Sequence, residues 1–328
     1  MEDNNKITIA QIGLGRWGKN LLRNFSALPE CFLKYACDMD LSMIKKLAIE
    51  YLDIKFISDS AEILNDKMVK AIVVATPAPT HYEVARKCLE SGRHVFIEKP
   101  ITLDVTEAQE LVALAKKQNK KLMVGHLLLY HPAITKLNEL IEAGELGDLK
   151  YIYTQRLNLG TVREAENAMW SLAPHDISIV LRLFNKLPVA VAANGADIIQ
   201  KNIEDVVFLD LRFVSGEIAN IHVSWLDPTK TRKTIVVGSK KMAVFDESQN
   251  KLFIMDKGVD AGLKLRTGNE VVEDYTGCNP LQSECSHFID CVRNDKDPIS
   301  DGENGLNVLR VLAAAERSLK NGGLNELL

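Results

Sequence analysis

Between Lys6 and Gly125 short apolar runs alternate with longer amphipathic stretches, the pattern produced by parallel strands joined by crossover helices. The runs read as strands at 7–12, 32–37, 71–76, 94–97 and 122–124, with a short one near 56–57. Between the last two main strands, Asp104 and Glu107 form a D-x-x-E capping pair on a helix whose apolar stripe is Val105, Ala108, Leu111, Val112 and Ala115. This half therefore reads as an α/β, doubly wound unit.

After Gly125 the rhythm changes. Pro132 opens a helix with the stripe Ile134, Leu137, Leu140 and Ile141, and Gly144 closes it. Segments 149–158, 189–198, 205–214, 217–225 and 231–238 then alternate like strands, mostly at hairpin spacing, which predicts an open, mostly antiparallel sheet. Residues 306–320 read as an Ala-rich helix ending at Asn321-Gly322. Two domains are expected, 1–125 and 126–328, and a chain of 328 residues is long enough for both. In the second sheet a mixed face containing Val206, Phe208 and His222 has no predicted helix to cover it, so a homodimer or homotetramer is expected.

Composition narrows the function classes. With 46% hydrophobic and 26% charged residues the chain folds, and no apolar run approaches the roughly 20 residues that span a bilayer. The start, Met1 to Lys6, has no charged-then-apolar targeting pattern, so a cytoplasmic protein is expected. Forty basic against forty-four acidic residues leave a net charge of −4, no field for nucleic acid or an anionic membrane. The six cysteines lack C-x-x-C spacing. Cys285, Phe288 and Val292 share a helical face and read as core, so buried free thiols are expected. Cys278, Cys285, His287 and Cys291 could hold a metal in principle, but no metal is expected.

The first strand runs into Gly13-Leu14-Gly15-Arg16-Trp17-Gly18, placing G-x-G-x-x-G between a strand and a helix. Gly13 allows the tight turn, Gly15 lets a diphosphate approach bare backbone, and Gly18 lets the helix sit close to the sheet. The helix start supplies N–H donors, and Leu14, Arg16 and Trp17 complete the candidate loop. Asp38 stands twenty residues past Gly18, at the end of the second strand. An acid there accepts from both ribose hydroxyls and repels a 2′-phosphate, so the motif points to NAD rather than NADP. The alternative for Asp38 is a helix cap, a task for which Asp40 is better placed.

Two further clusters end strands, Ala75-Thr76-Pro77 and Glu98-Lys99-Pro100. Doubly wound sheets bind ligands at the carboxyl ends of their strands, which adds Thr76, Pro77, Glu98 and Lys99 to the cofactor candidates. A lysine beside a cofactor in a partly dry cleft can steady a forming alkoxide. Taken alone, Lys99 reads better as a surface lysine paired with Glu98.

Together these parts resemble the glucose-fructose oxidoreductase/inositol dehydrogenase/MocA family. The resemblance runs through His81-Tyr82-Glu83-Val84-Ala85, Gly92-Arg93-His94-Val95-Phe96-Ile97-Glu98-Lys99-Pro100, Ala173-Pro174-His175-Asp176-Ile177 and the closing Asp301-Gly302-Glu303 and Ala314-Ala315-Glu316-Arg317-Ser318. It implies an N-terminal Rossmann domain and a C-terminal α/β domain, with a sugar or polyol bound between them. It also implies that Lys99 and His175 handle a hydroxyl proton while a hydride passes to nicotinamide, with His81 and His126 on the cofactor side. Pro174 suits the first position of a helix, which would place His175 in a first turn, where dipole and Lys99 both favour neutral imidazole. A capping or core histidine is the alternative. Two departures from the family pattern stand out: Ser171 replaces an acid four residues before the histidine, and His126-Leu127-Leu128-Leu129-Tyr130-His131 replaces arginines after the sixth strand. His131 is expected to cap the helix at Pro132.

Substrate groups are expected from the strand and loop Gln155-Arg156-Leu157-Asn158-Leu159-Gly160-Thr161-Val162-Arg163, together with His175, Asp176 and Lys99. Arginines at Arg156 and Arg163 suit phosphate, diphosphate or carboxylate, with surface pairing as the alternative, and Asn158 shares the Arg156 face. Leu157-Asn158-Leu159-Gly160 and Trp170-Ser171-Leu172-Ala173-Pro174-His175-Asp176 look similar to family members acting on nucleotide-linked sugars, including UDP-N-acetylglucosamine uronate 3-dehydrogenases. The expected reaction is oxidation at C3 of such a sugar. Alternatives are oxidation of a free sugar, polyol or sugar phosphate, NAD-dependent glycoside cleavage, and a non-catalytic sensor like the family's transcriptional repressor.

Overall fold

Ile9, Ala10, Ile72, Val73, Val95, Phe96 and Met123 have no exposed surface and form the middle of a parallel sheet. The computed structural model of the chain describes residues 6–328; residues 1–5, on which the targeting expectation rests, lie outside them. In the first unit the chain runs β1 (Ile7–Ile12), α1 (Gly18–Ala27), β2 (Cys31–Cys37), α2 (Leu41–Ala48), β3 (Lys55–Ile57), α3 (Ala61–Asn65), β4 (Ala71–Val74), α4 (His81–Glu90), β5 (His94–Ile97), α5 (Val105–Lys117) and β6 (Leu122–Val124). The strands lie in the order β3-β2-β1-β4-β5-β6, all parallel. The order reverses between β1 and β4, and that switch point is where such sheets open a ligand crevice.

The second unit contains α6 (Pro132–Glu142), β7 (Leu149–Leu159), α7 (Ala168–Phe184), β8 (Ala190–Ala196), β9 (Val206–Arg212), β10 (Ile218–Ser224), β11 (Leu226–Gly238), β12 (Met242–Asp246), β13 (Lys251–Asp260) and β14 (Lys264–Asp274). The tail adds α8 (Pro280–Asn294), α9 (Gly302–Lys320) and β15 (Glu326–Leu327). Nine strands lie in the order β14-β13-β12-β11-β7-β10-β9-β8-β15, with β7 and β10 parallel and the other neighbours antiparallel. Helix α7 covers β10 and β7, where Ala219, Ile221, Val223 and Trp225 are buried. On the opposite face Phe208 and His222 stack at 4.1 Å, and Phe208 is 42% exposed.

The division of the chain is discontinuous. One compact unit comprises the chain up to Leu127 with Asn279–Leu309, and the other Leu128–Cys278 with Arg310–Leu328. The expected boundary at 125/126 is close to the first crossing, but a single cut does not describe the tail. The reason is an aromatic cluster: Phe25 of α1, Phe96 of β5 and Phe288 of α8 meet edge to face, with ring centroids 5.7–6.3 Å apart.

A second difference concerns α7, which begins at Ala168 and contains Pro174 in its interior. Asn167 caps it by accepting from the Trp170 N–H, so the helix starts two turns earlier than Pro174 predicts. His175 therefore lies beyond the first turn, where the dipole effect has faded. Four strands, β12 to β15, also exceed the expected set. No helix among the described residues is long and apolar enough to cross a membrane.

Candidate active site

The glycine loop is crowded at two points and open at a third. Gly13 has φ +99°, and a Cβ there would stand 2.5 Å from the Ala75 carbonyl. A Cβ on Gly18 would stand 2.3 Å from the Gly13 oxygen, whereas one on Gly15 would meet nothing within 4 Å. The crowded glycines fold the loop and the open one leaves backbone for a diphosphate to approach. At the start of α1, Trp17 provides no side-chain cap among the described residues, which leaves helix N–H groups for an anion. Asp38 Oδ2 accepts from the Leu14 N–H at 2.6 Å and Oδ1 from the Asp40 N–H at 2.9 Å. A carboxylate has lone pairs left after two such bonds, enough for ribose hydroxyls. Asp40 caps α2 by accepting from the Ser42 and Met43 N–H groups, as its position predicts. These residues fit a dinucleotide. Replacing Asp38 with serine is expected to shift the NADH-to-NADPH affinity ratio by roughly tenfold or more towards NADPH. Fluorescence titration checks it, and tighter NADPH than NADH binding by the unmodified chain would reverse the reading.

At the end of β5, Glu98 Oε1 accepts from Trp17 Nε1 at 2.5 Å and Oε2 from the Lys99 N–H at 3.2 Å. Gly125 makes room for this carboxyl, since a Cβ there would lie 3.0 Å from it. Burial pushes Glu98 up to about 7, against the pull of Lys99 and Trp17. His81 sets its ring nitrogens 2.7 Å from the Pro100 carbonyl and 2.9 Å from that of Thr76, linking the turns after β5 and β4. Burial, then the Lys99 charge, hold its pKa below the usual value despite the two carbonyls. A neutral ring has one N–H and so donates to only one of these two carbonyls at a time. His126 is buried with Nδ1 2.7 Å from Asn304 Oδ1, and burial pushes it down to about 4, with Lys99 adding to the effect. Its imidazole is therefore neutral. The first unit thus gathers the glycine loop, Asp38, Thr76, Pro77, His81, Glu98, Lys99 and His126 at the carboxyl ends of its strands.

In the second unit, α7 carries His175 and Asp176, and β7 carries Arg156 and Asn158. Arg156 is 5% exposed, with Nε 2.8 Å from Asp176 Oδ2 and Nη1 3.0 Å from Glu247 Oε2. Arg232 Nη1 reaches Glu247 Oε1 at 2.8 Å, completing a row of two cations and two anions. Burial pushes the Asp176 carboxyl up against the pull of Arg156. Glu247 lies below its ordinary range because two guanidinium groups outweigh its burial. Arg156 and Asp176, expected to meet substrate, are thus engaged with each other inside the unit. Arg163 is more open, 3.6 Å from Glu166, and its carbonyl accepts from Gln200 Nε2 at 2.8 Å. His131 caps α6 through Ala133, as expected.

A family model described as an oxidoreductase family with an NAD-binding Rossmann fold matches residues 7–126, and the Gfo/Idh/MocA C-terminal domain model matches residues 134–244. The chain belongs to the Gfo/Idh/MocA oxidoreductase family. It is 27% identical to the UDP-N-acetylglucosamine 3-dehydrogenase of Acidithiobacillus ferrooxidans over 93% of each chain. It is 25% identical to the scyllo-inositol 2-dehydrogenase (NAD(+)) of Bacillus subtilis over 97% of this chain and 95% of that one. A solved structure of the Acidithiobacillus enzyme superposes with a TM-score of 0.86, at 25% identity, covering 96% of this chain and 97% of that one.

As a member of that family the protein is an NAD-dependent oxidoreductase, and its first unit holds one polar group that no motif announces. Glu284 of α8 is fully buried, and among the described residues neither carboxylate oxygen has a hydrogen-bond partner. Burial, reinforced by the charge of Glu98, raises it well above 4.5. Its folded pKa exceeds the unfolded one, so the folded state binds the extra proton. Stability is then full below the unfolded value and falls as pH rises towards the folded one. Glu284→Gln is therefore expected to melt above the unmodified protein at pH 9, with the gap closing by pH 5. Equal melting at pH 9 would refute it. Sequence reasoning also missed Glu247, Arg232 and Asn304. Arg232 comes from β11, Glu247 from the turn after β12 and Asn304 from α9, with no spacing signal linking them. Among the described residues no group of three or more His, Cys, Asp or Glu could hold a metal ion.

Proposed function

We propose that this oxidoreductase removes hydrogen from a ring hydroxyl of a sugar, with C3 of a UDP-linked N-acetyl sugar or its uronate as the substrate. The observation that carries the reading is the Trp17–Glu98 hydrogen bond, which ties the glycine loop to the strand end from which Lys99 projects. NAD, when bound, accepts the hydride. Lys99 steadies the alkoxide as it forms, and His175 takes the hydroxyl proton. Asp176, held by Arg156, fixes the helix turn beside His175, while Arg163 and Asn158 are left to meet the polar remainder of the substrate. The full-length similarity to a UDP-N-acetylglucosamine 3-dehydrogenase supports the nucleotide sugar.

A second reading, a free polyol such as an inositol, is supported by the comparable similarity to an inositol dehydrogenase and by the burial of Arg156, which removes one expected anion contact. Screening UDP-sugars, sugar phosphates and free polyols for NADH formation separates the two. Turnover of a UDP-N-acetyl sugar with none of inositol supports the first, and the converse supports the second. Glycosidic cleavage without net NADH would replace both with transient oxidation, and failure of every sugar would favour a sensor. A second copy of the chain over the Phe208–His222 face belongs to the same proposal; a single-chain mass by light scattering opposes it.

A further inference from the structure

Strand β1 carries one fully buried polar side chain, Gln11, among the buried apolar residues Ile9, Ala10 and Ile12. Its amide nitrogen lies 2.8 Å from the Gly13 carbonyl oxygen and 2.7 Å from that of Gly18. Those glycines are the first and last of the G-x-G-x-x-G loop. Because both acceptors are carbonyls, the amide must present its NH2 to them, and both of its N–H donors are used. Its oxygen is buried with no hydrogen-bond partner among the described residues. An unsatisfied buried acceptor is unfavourable, and a leucine or methionine would avoid it. The side chain thus bears the cost of one unsatisfied acceptor while both of its donors act on the ends of the loop.

We propose that Gln11 is a positioning residue for the dinucleotide: it spans the loop from within and fixes the separation of its two ends, so that the N–H groups of the intervening residues are aimed before the diphosphate arrives. Among the described residues no other side chain ties Gly13 to Gly18 in this way. Lys19 donates to the Gly15 oxygen and Asn20 to the Trp17 oxygen, which are helix-start bonds, and Leu14 donates outward to Asp38. Preorganisation of this sort acts on affinity by lowering the ordering cost of binding, not on the chemistry that follows. The inference rests on NAD binding and is independent of which sugar is oxidised.

The test measures NADH affinity of the full-length chain by energy transfer from tryptophan, without turnover. Gln11→Leu is expected to weaken NADH binding by roughly tenfold or more, while kcat at saturating NAD stays within about threefold of the unmodified enzyme. Gln11→Glu supplies a readout that a packing role would not move. Ionised, the carboxylate faces two carbonyl oxygens; protonated, it donates to one of them. Its NADH affinity relative to the unmodified protein at the same pH should therefore fall from pH 5 to pH 9. NADH binding by Gln11→Leu within about twofold of the unmodified chain would overturn the proposal. So would a Gln11→Glu ratio that ignores pH, or a failure of both variants to fold, which would make Gln11 a residue of the whole sheet.

Discussion

Lys99→Ala is expected to lower kcat by about 10²–10⁴-fold and to leave the Kd for NADH within about twofold of the unmodified enzyme. The split follows from where Lys99 stands. In the proposed site the dinucleotide is held by Gly13, Gly15, Gly18 and Asp38, and Lys99 is given to the substrate. The ammonium is near enough to His81, Glu98 and His126 to act on the protonation of all three. Burial already keeps His126 neutral, and Glu98 is an acid, so Lys99 is the cation of this cluster that can stabilise negative charge on a substrate oxygen. An interaction made only as the alkoxide forms changes kcat and kcat/KM together, with little effect on the affinity of the cofactor. Unchanged turnover would remove Lys99 from the reaction, and an equally large loss of NADH affinity would move it to the cofactor.

Arg156→Met is expected to destabilise the protein by about 3–5 kcal/mol, read as a fall in Tm. The methionine fills much of the space, but Asp176, with 1% of its side chain exposed, loses the guanidinium that neutralises it. Glu247 keeps Arg232 at 2.8 Å and is the less affected partner. The double variant Arg156→Met with Asp176→Asn should recover at least half of the loss, because the uncompensated charge and not the missing packing is the main cost. No recovery in the double variant would assign the loss to packing instead. Because Asp176 follows His175 directly in α7, the single variant should also lower activity at temperatures where it remains folded.

Much of the first unit was legible because parallel strands buried on both faces leave short, unbroken apolar runs. The strands at 7–12, 94–97 and 122–124 coincide with β1, β5 and β6, and Asp40, Asp104 and His131 cap the helices expected of them. The run at 71–76 ends early, at Val74, because its last residues turn towards the crevice. The second sheet was legible only where one face is covered. Strand β14, which pairs with β13, is an exposed, charged stretch, Lys264–Asp274, where no apolar alternation survives to mark a strand. Pro174 misled for another reason: proline favours a helix start statistically, but the Asn167 cap and the apolar residues after it fix the start of α7 earlier. In the candidate site, motif residues could be found one by one. What they do could not, since Arg156 meets Glu247 and His126 meets Asn304 only through tertiary folding.

The aromatic cluster of Phe25, Phe96 and Phe288 has a temporal side. Two of its rings, Phe25 and Phe96, leave the ribosome well before the third, Phe288, which follows only after the strands of the second unit have been made. The nucleotide-binding half therefore cannot close its own interior as a nascent fragment, and a transplant or truncation that stops after β6 leaves two phenylalanines facing water. Any chimera that borrows this cofactor module must carry α8 with it, as a separate piece of the gene.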